Sequence, residues 1–323
     1  MDIKQEISCE HEPQTGAPTA AWCGTTQSSA RMPLHALLQQ IGDYLELTKP
    51  RLSSLVLMTT AVGFWLGMRG PEQFGLLAHV LFGTALVVGG ANAFNEWMER
   101  GPDGLMRRTQ HRPLPSGRLS AYDAWRFALL LCVGGIVYLA LRVNALSAGL
   151  AAAAAASYVL LYTPLKRLTA LCTLAGAIPG ALPPMIGWSA AQGTLGPEAW
   201  VLFALLFVWQ LPHFLAIAVL YRDDYARAGF RMLPVTEASG FATARQMLLY
   251  GLTLLPLSLF PTLIGLSGRL YFCGALLLSM AFFIMSARAA LIRSAQTCRQ
   301  LFLASVLYLP VLLGLLAYDR LPR

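Results

Sequence analysis

Apolar runs of about 20 residues recur along the chain after residue 50, and each run is near the length that crosses a lipid bilayer as a helix. Backbone polar groups cannot stay unpaired in lipid, so a spanning segment is either a helix or a strand of a closed barrel. The runs lack the alternating pattern of barrel strands. With 56% hydrophobic and 12% charged residues, the sequence predicts an all-α, polytopic membrane protein, a bundle of nine transmembrane helices. The predicted spans are roughly 52–68, 75–98, 122–141, 145–163, 170–190, 199–220, 246–266, 270–287 and 301–318.

The distribution of positive charge predicts how these spans are oriented, because short loops rich in Lys and Arg stay on the cytoplasmic side. Most of the 24 Lys and Arg residues fall in the N-terminal segment and in the loops after every second span. The opposite side carries Arg69, Arg142, Arg269, Arg320 and Arg323. We therefore expect a cytoplasmic N-terminus, a C-terminus outside and a site on the cytoplasmic side. The net charge of +8 indicates this topology first and an anionic substrate second, and nucleic acid is not expected as a partner.

The N-terminal segment differs in composition from the rest of the chain. Residues 1–37 are rich in polar residues and include acidic ones, with no apolar signal core and no Arg-rich, acid-poor transit sequence. The composition predicts a disordered cytoplasmic tail over 1–37 and a single membrane domain over 38–323. The absence of a transit-like sequence favours a bacterial plasma (inner) membrane over a mitochondrial one.

The end of the second span carries an unusual polar cluster. Asn95, Glu99 and Asp103 recur at every fourth position, which would place them on one face of a continuing helix. Carboxylate and amide oxygens suit Mg²⁺, which commonly binds a few carboxylates together with phosphate oxygens of a substrate. Arg108 and Arg112 follow and can grip phosphate oxygens in pairs. For the arginines alone, a simple role as a positive membrane anchor is an equally good interpretation.

A proline interrupts this cluster. Pro102 immediately precedes Asp103, and a proline inside a helix removes one hydrogen bond and clashes with the carbonyl four residues earlier, here that of Met98. The sequence therefore predicts that the helix ends or bends between Met98 and Asp103, and that Asp103 lies on a turn or just past a kink.

Further polar groups follow spans 4 and 6. Lys166 follows a Tyr-Thr-Pro break, and by itself it is typical of a cytoplasmic anchor. His213 lies within span 6, where an ionisable residue indicates either function or an interhelical hydrogen bond. The loop after span 6 begins with Tyr221, Arg222, Asp223 and Asp224. It repeats the acid-then-base pattern of the first cluster.

Span 5 is rich in helix-breaking residues. The stretch GAIPGALPPMIGW (176–188) contains three prolines and three glycines. Broken backbone inside a membrane is tolerated where it is buried in protein or lines a cavity. Close packing of two helices through small residues is the alternative explanation.

Two acidic clusters accompanied by arginines suit a diphosphate held through Mg²⁺, with an attached lipid tail extending between the helices. The metal and the arginines would stabilise the negative charge of a departing diphosphate. Prenyl transfer is the reaction class that such an arrangement favours, since an apolar cavity protects an allylic cation from water.

The same residues carry a resemblance to a known family. The pattern Asn95, Glu99, Asp103, Met106, Arg108, Thr109 and Arg112-Pro113-Leu114 resembles the first Asp-rich motif of the UbiA-type intramembrane prenyltransferases, with Glu99 at a position where that motif has Asp. Other stretches resemble the haem-farnesylating branch of that family, in the same order along the chain. They are LTKPRL (47–52), YTPLKR (162–167), GAIPGALPPMIGW (176–188), WQLPHF (209–214) and DYARAGFRMLPV (224–235).

The resemblance implies an enzyme that transfers the farnesyl group of farnesyl diphosphate to the 2-vinyl group of haem B, with addition of water, giving haem O and diphosphate. Haem B would be a substrate and no permanent cofactor, Mg²⁺ would be required, and a haem A synthase or oxidase assembly factors would be downstream partners. The implied metal ligands are Asn95, Glu99, Asp103, Asp223 and Asp224. The implied substrate-binding residues are Lys49, Arg108, Arg112, Lys166, His213, Tyr221 and Arg222, with His213 contacting haem through its iron or a propionate.

Three other interpretations remain open at this point. One is a non-catalytic assembly factor of the respiratory membrane. A UbiA-type prenyltransferase that acts on an aromatic acid or a quinone precursor would keep the diphosphate residues, but it has no reason to match the stretches of 209–214 and 224–235. A small membrane transporter with an anion site near the broken span would show inverted repeats and no Mg²⁺-dependent turnover.

Overall fold

A computed structural model of the chain describes residues 34–237 and 239–321. The regular secondary structure of these residues is helical, with no extended strand and a single isolated bridge between Ser267 and Arg320. The helices are α1 (Leu34–Leu47), α2 (Pro50–Gly67), α3 (Phe74–Leu105), α4 (Ala121–Arg142), α5 (Ala145–Ala156), α6 (Thr163–Leu168), α7 (Cys172–Ala181), α8 (Pro183–Gln192), α9 (Pro197–Leu220), α10 (Arg222–Arg227), α11 (Leu233–Thr236), α12 (Phe241–Leu263), α13 (Arg269–Ile292) and α14 (Ala295–Tyr318). The predicted all-α class is confirmed.

Seven helical segments of the described chain are long and apolar enough to cross a membrane. They are 71–105, 121–142, 145–168, 197–220, 241–263, 269–292 and 295–318. The predicted first span corresponds to α2 and the fifth to the short pair α7 and α8, and these two are not among the seven. The chain is thus a polytopic helical membrane protein, while the expected number of nine spans is not confirmed by helix length and composition.

The predicted break in span 5 is confirmed, and prolines explain it. Two helices of 10 residues each, α7 and α8, meet at Leu182. Pro183 and Pro184 open α8, and neither has an amide hydrogen to continue the hydrogen bonding of α7. Pro at the first helical position is favourable, since that amide has no partner within the helix.

The second half of the break packs directly on α2. A Cβ atom on Gly187 would lie 2.0 Å from the carbonyl oxygen of Thr60, and one on Gly63 would lie 2.1 Å from that of Pro184. Only glycine permits such a contact between backbones. The alternative explanation of the small residues in span 5, close helix packing, therefore holds for α8.

The largest buried cluster lies where α9, α12, α13 and α14 pack against one another. Serine and tyrosine hydroxyls join these helices inside it. Tyr271 donates to the carbonyl of Ser258 at 2.7 Å, and Ser279 bonds to the hydroxyls of Ser258 at 2.7 Å and Tyr308 at 2.8 Å. Such interhelical hydrogen bonds stabilise packing where apolar side chains face an equally apolar solvent.

The helix α1 begins at Leu34, within the segment that was predicted as a tail, and the rest of that predicted tail lies outside the described residues. It exposes an apolar stripe at helical spacing and buries Asp43 and Leu47. Asp43 and Glu46 both pair with Arg118 of the loop between α3 and α4. The pairs fix α1 against the loop that follows the first polar cluster.

Candidate active site

A cavity of about 490 Å³ lies among α2, α3, α5, a π-helical segment (Ser157–Tyr162) and α7 to α9. Its wall has two chemically different parts. One part, the ionic end, consists of Lys49, Asn95, Glu99, Arg108, Arg112 and Lys166. The other part, the apolar wall, includes Leu52, Val56, Val87, Val88, Ala151, Ala154 and Ile186. The ionic end lies where α2 begins and α3 ends, so the cavity continues from charged groups into the interior of the bundle.

The broken span forms part of the cavity wall. Pro179, Gly180 and Pro183 line it, which confirms the expectation that broken backbone faces a cavity. The amide of Gln210 on α9 donates to the carbonyls of Leu206 at 2.9 Å and Ala177 at 3.4 Å. This side chain therefore supplies a hydrogen-bond donor to α7 beside the break.

The first polar cluster lies on one buried face of α3. Asn95, Glu99 and Asp103 are all at most 5% exposed. The helix continues through Pro102 to Leu105, so the predicted end of the helix before Asp103 and the predicted turn conformation of Asp103 are wrong. The cost of Pro102 is one hydrogen bond near the end of the helix. The last turn is held instead by contacts to Asp103, whose carbonyl accepts a hydrogen bond from Thr109 Oγ1 at 2.9 Å.

A buried ion pair connects α6 to α3. Lys166 Nζ lies 2.7 Å from Glu99 Oε1, and it also lies 4.6 Å from the centre of the Tyr162 ring. The backbone carbonyl of Lys166 accepts a hydrogen bond from the amide of Arg231 at 2.7 Å. The structure therefore brings Lys166 together with the first cluster, which a simple membrane anchor would not require.

A second ionic group surrounds Glu96, a residue that the sequence motif did not single out. Glu96 Oε1 lies 3.5 Å from Arg112 Nε and 3.7 Å from Lys49 Nζ. Arg112 also donates to Asp103 Oδ2 at 2.7 Å. Burial works against the charge of Arg112, but the carboxylates of Glu96 and Asp103 outweigh it and raise its pKa. The sequence signal that could have identified Glu96 is an acidic residue at the polar end of an apolar helix.

Lys49 is held in an unusual backbone conformation at the start of α2. Its φ angle is 50°, in the left-handed region that non-glycine residues seldom adopt. Its Nζ donates to Asn95 Oδ1 at 2.8 Å, and the Asn95 amide donates to Thr163 Oγ1 at 3.1 Å. Burial lowers the pKa of Lys49 to about 8, and Glu96 opposes that change. The left-handed backbone at Lys49 therefore directs an ammonium group with a lowered pKa towards Asn95.

The remaining predicted cations have different positions. Arg108 lines the cavity, and its guanidinium lies 5.0 Å from the centre of the Tyr221 ring. Tyr221 is exposed and does not line the cavity. Arg222 lines a separate, smaller pocket with Glu237 and Arg293. The structure thus brings Arg108, and through it Tyr221, to the ionic end and leaves Arg222 apart.

The second acidic cluster lies beside the cavity without lining it. Asp224 is half-buried and pairs with Arg227, one turn further along α10, and Asp223 is exposed. From the same short segment, Tyr225 does line the cavity. The acids were expected to face the first cluster because of their spacing after span 6, but spacing does not determine how a six-residue helix is rotated.

His213 also lies outside the cavity lining. On α9, Gln210, Phe214 and Ile217 face the cavity, whereas His213 Nδ1 contacts Ser305 Oγ of α14 at 2.6 Å. The interhelical hydrogen bond, one of the two predicted explanations of this histidine, is therefore present.

The donor set at the ionic end suits a magnesium ion that is shared with a phosphate ligand. Among the described residues, no group of three or more His, Cys, Asp and Glu side chains is arranged to hold a metal alone. Two buried carboxylate oxygens beside the ionic end, Glu96 Oε2 and Asp103 Oδ1, have no hydrogen-bond partner in the described chain. A small number of unpaired carboxylate oxygens suits Mg²⁺, because this ion binds one or two protein carboxylates and completes its coordination shell with phosphate and water.

Comparison with solved structures supports the fold. The chain is similar to a digeranylgeranylglyceryl phosphate synthase, with a TM-score of 0.70 and 17% identity over 87% of this chain and 98% of the other. It is also similar to a UbiA homologue from Archaeoglobus fulgidus bound to DMAPP and Mg²⁺, with a TM-score of 0.66 and 16% identity over 85% and 99% of the two chains. At these identities the similarity establishes the fold alone.

Sequence comparison extends further. A protein of Solibacter usitatus named protoheme IX farnesyltransferase is 50% identical over 287 residues, which cover 86% of this chain and 98% of that protein. One of the same name from Koribacter versatilis is 44% identical over 90% of this chain and 96% of its own length. The sequence profile of the UbiA prenyltransferase family matches residues 56–309. The chain therefore belongs to the UbiA prenyltransferase family.

Proposed function

We propose that this protein transfers the farnesyl group of farnesyl diphosphate to the 2-vinyl group of haem B, with addition of water, and releases haem O and diphosphate. The observation that carries the proposal is the two-part cavity, in which an ionic end adjoins an apolar wall. A prenyl diphosphate has the same division between a charged head and an apolar chain. The relatives at 44–50% identity, both named protoheme IX farnesyltransferase, support haem as the acceptor.

In this reaction the terminal vinyl carbon forms a bond to C1 of the farnesyl group, and the bond from C1 to the diphosphate oxygen breaks. Water then adds to the other vinyl carbon and loses one proton. The diphosphate leaves with the bonding electron pair, so negative charge develops on its oxygens. Arg108, Arg112, Lys166 and Lys49 line the cavity and would stabilise that charge through preorganised donors. The apolar wall would keep water away from the allylic cation until the acceptor has reacted.

Asn95 and Glu99 would hold the Mg²⁺ ion, since both line the cavity and present oxygen atoms. When bound, the metal supplies Lewis-acid stabilisation of the leaving diphosphate. Asp103 would contribute through Arg112, to which it is bonded, and its second oxygen is available to the metal shell. Asp224, with Asp223, remains the proposed second acidic group. To bind a metal ion, Asp224 would have to release its ion pair with Arg227.

A direct assay tests the proposal. The purified protein in detergent is incubated with haem B, farnesyl diphosphate and Mg²⁺, and the products are analysed by mass spectrometry. We expect a haem product that has gained one farnesyl group and one water. No such adduct, together with prenylation of 4-hydroxybenzoate or a similar aromatic acceptor, would reject haem as the acceptor and favour another UbiA-type activity.

We also propose that the protein lies in a bacterial inner membrane, with the N-terminus and the ionic end on the cytoplasmic side and the C-terminus outside. The charge asymmetry of the loops supports this orientation. Its product would pass to a haem A synthase or to oxidase assembly factors. Alkaline phosphatase fused after Arg323 should be active in intact cells, and an inactive fusion would reverse the orientation.

A further inference from the structure

A second, smaller cavity lies where four of the long apolar helices begin or end. It has a volume of about 180 Å³ and is lined by residues from the end of α9, the start of α12, the end of α13 and the start of α14. Arg222 in its wall follows Tyr221, whose ring centre lies 5.0 Å from the guanidinium of Arg108. This cavity, the α12–α13 pocket, therefore lies at the same end of the bundle as the ionic end, and no described residue lines both.

The α12–α13 pocket contains two cations without a partner. Arg222 and Arg293 line it, and neither side chain forms an ion pair or a hydrogen bond in the described part of the chain. Glu237 is the acid in the wall, but its carboxylate accepts hydrogen bonds from the amides of Ala242 at 2.8 Å and Thr243 at 3.2 Å, which lower its pKa. The acid is thus occupied with the start of α12, and the pocket keeps one positive charge in excess.

A buried hydroxyl in the same wall also lacks a partner. Thr243 lines the pocket and is only 3% exposed, and its Oγ1 forms no hydrogen bond within residues 34–237 and 239–321. A buried polar atom without a partner costs free energy, which a ligand with an acceptor oxygen in the pocket would recover. Phosphate oxygens accept hydrogen bonds from hydroxyl and guanidinium donors alike.

The backbone of Arg293 is a further sign that its side chain has a use. Its φ angle is 52° at the end of α13, a position where glycine is the usual residue. Among the described residues, only Lys49 shares this left-handed conformation without being a glycine, and Lys49 lines the main cavity. Strained conformations of this kind cluster at ligand sites. Both strained residues are cations that line a cavity.

The surroundings of the pocket distinguish a lipid from a soluble phosphate. Leu291 and Ile292, directly before Arg293, and Phe241 at the start of α12 are large apolar side chains that are 57–77% exposed. They suit contact with acyl chains. A volume of about 180 Å³ is below the roughly 300–1,000 Å³ of a pocket that encloses a whole small ligand, so a headgroup fits while its chains stay outside. Basic pockets between membrane helices bind the headgroups of anionic lipids.

We propose that the α12–α13 pocket binds the phosphate group of an anionic phospholipid, held by Arg222, Arg293 and the hydroxyl of Thr243. The single negative charge of a phosphodiester matches the single positive charge in excess. The inference is independent of the proposed function, since no described residue of this pocket lines the main cavity. Bound lipid would link the start of α10, which carries Arg222, to α12 and α13.

A lipid titration of the full-length protein in a neutral detergent tests the inference. Dioleoyl phosphatidylglycerol, dioleoyl phosphatidylcholine and inorganic phosphate are added separately. Lipid binding is measured by native mass spectrometry, and the thermal midpoint by scanning fluorimetry. We expect phosphatidylglycerol to bind at least about tenfold more tightly than phosphatidylcholine and to raise the thermal midpoint. An equal rise with inorganic phosphate would keep the phosphate site but overturn the lipid as its source.

Three variants test the named residues. Arg293→Gln should weaken phosphatidylglycerol binding at least about tenfold, because it removes a charged hydrogen-bond donor. Thr243→Val should weaken binding about three- to tenfold without lowering the thermal midpoint in the absence of lipid, since its hydroxyl has no partner to lose among the described residues. Arg299→Gln is the matched control, because Arg299 is exposed near the start of α14 and does not line the pocket.

Unchanged affinity for phosphatidylglycerol in Arg293→Gln would overturn the inference. An equal loss of affinity in Arg299→Gln would also overturn it, since it would indicate general attraction to a positive surface. If Arg293→Gln fails to fold, Arg293→Gly takes its place, because glycine adopts the left-handed backbone without strain. A lower thermal midpoint of lipid-free Thr243→Val would show that the hydroxyl has a structural role and would remove it from the site.

Discussion

The Nζ atom of Lys166 lies 2.7 Å from Oε1 of Glu99, and the two side chains are only 11% and 7% exposed. Neither charge could remain buried alone, since removing one member of a buried ion pair costs about 3–5 kcal/mol. An incoming phosphate group would compete with Glu99 for Lys166, and a magnesium ion would compete with Lys166 for Glu99. Magnesium diphosphate supplies both new partners together, so the pair favours the complex over either component alone.

Changing Glu99 to Gln should therefore abolish activity. We expect turnover of farnesyl diphosphate to fall at least about 100-fold, since electrostatic groups of this kind contribute that much to catalysis. The thermal midpoint should also fall, because Lys166 loses its buried partner. Glu46→Gln is the matched control, as Glu46 is exposed and pairs with Arg118 at the surface. Wild-type turnover in Glu99→Gln would remove this residue from the site.

Asp103 and Arg112 should act as one unit. Arg112 donates to Asp103 Oδ2 at 2.7 Å, so replacing either residue leaves the guanidinium absent or misplaced. We expect Asp103→Asn and Arg112→Ala each to raise the KM for farnesyl diphosphate, and the double variant to be little worse than Arg112→Ala. The coupling free energy should be about 0.5–3 kcal/mol. Additive effects would show that Asp103 acts independently of Arg112, as a direct metal ligand.

Deprotonation of Lys49 should weaken diphosphate binding at alkaline pH. Its pKa is lowered from 10.5 to about 8 by burial, so the cation that pairs with phosphate is lost as the pH rises through about 8. The KM for farnesyl diphosphate should rise over that range, and Lys49→Arg should remove the rise because arginine stays charged. The unfolded chain binds this proton up to a higher pH than the folded chain, so the contribution of Lys49 to stability increases between about 8 and 10.5. A KM profile that is identical in Lys49→Arg would contradict the assignment.

Asp224→Asn tests the second acidic cluster. We expect loss of turnover with normal folding, accompanied by a higher Mg²⁺ concentration for half-maximal activity. The alternative is that Asp224 only holds Arg227, in which case Arg227→Ala would have the same effect as Asp224→Asn. A titration of Mg²⁺ against activity in both variants separates the two roles.

Close packing of α8 on α2 should make Gly187 intolerant of a side chain. Its Cβ would meet the Thr60 carbonyl at 2.0 Å, and the backbones would have to separate, at a cost of about 1–3 kcal/mol or more. Gly187→Ala should lower the thermal midpoint in detergent. Gly134→Ala on α4, where no atom lies within 4 Å of the new Cβ, should be neutral or slightly stabilising. Equal midpoints would show that α8 is free to move.

The helical bundle and the broken span followed from the sequence because both depend on local chemistry. Lipid requires a spanning segment to be helical or part of a closed barrel. Pro183 and Pro184 interrupt a helix in any environment. The structure brings Asn95, Glu99 and Lys166 together because each lies at the same end of a long helical segment. Helix ends are coarse features that an apolar pattern locates well.

Two features could not be predicted from local sequence: the rotation of a helix about its axis, and the contacts that other segments make with it. His213 faces α14 although it lies in a motif beside cavity residues, because one position along a helix turns a side chain by about 100°. Pro102 did not end α3, since Arg112 and Thr109 bind Asp103 from outside the helix. The role of Glu96 was missed because both of its cationic partners come from other segments.

The ion pairs of the ionic end also constrain the order of events during biosynthesis. Glu99 is translated 67 residues before Lys166, its partner, so the acid is made before its cation. Glu96 already has Lys49, which is made earlier, but Glu99 must wait at the aqueous surface or be shielded by the insertion machinery. Since the lining of the cavity extends to Met232, the cavity is complete only after α9 and the segment that follows it have been made.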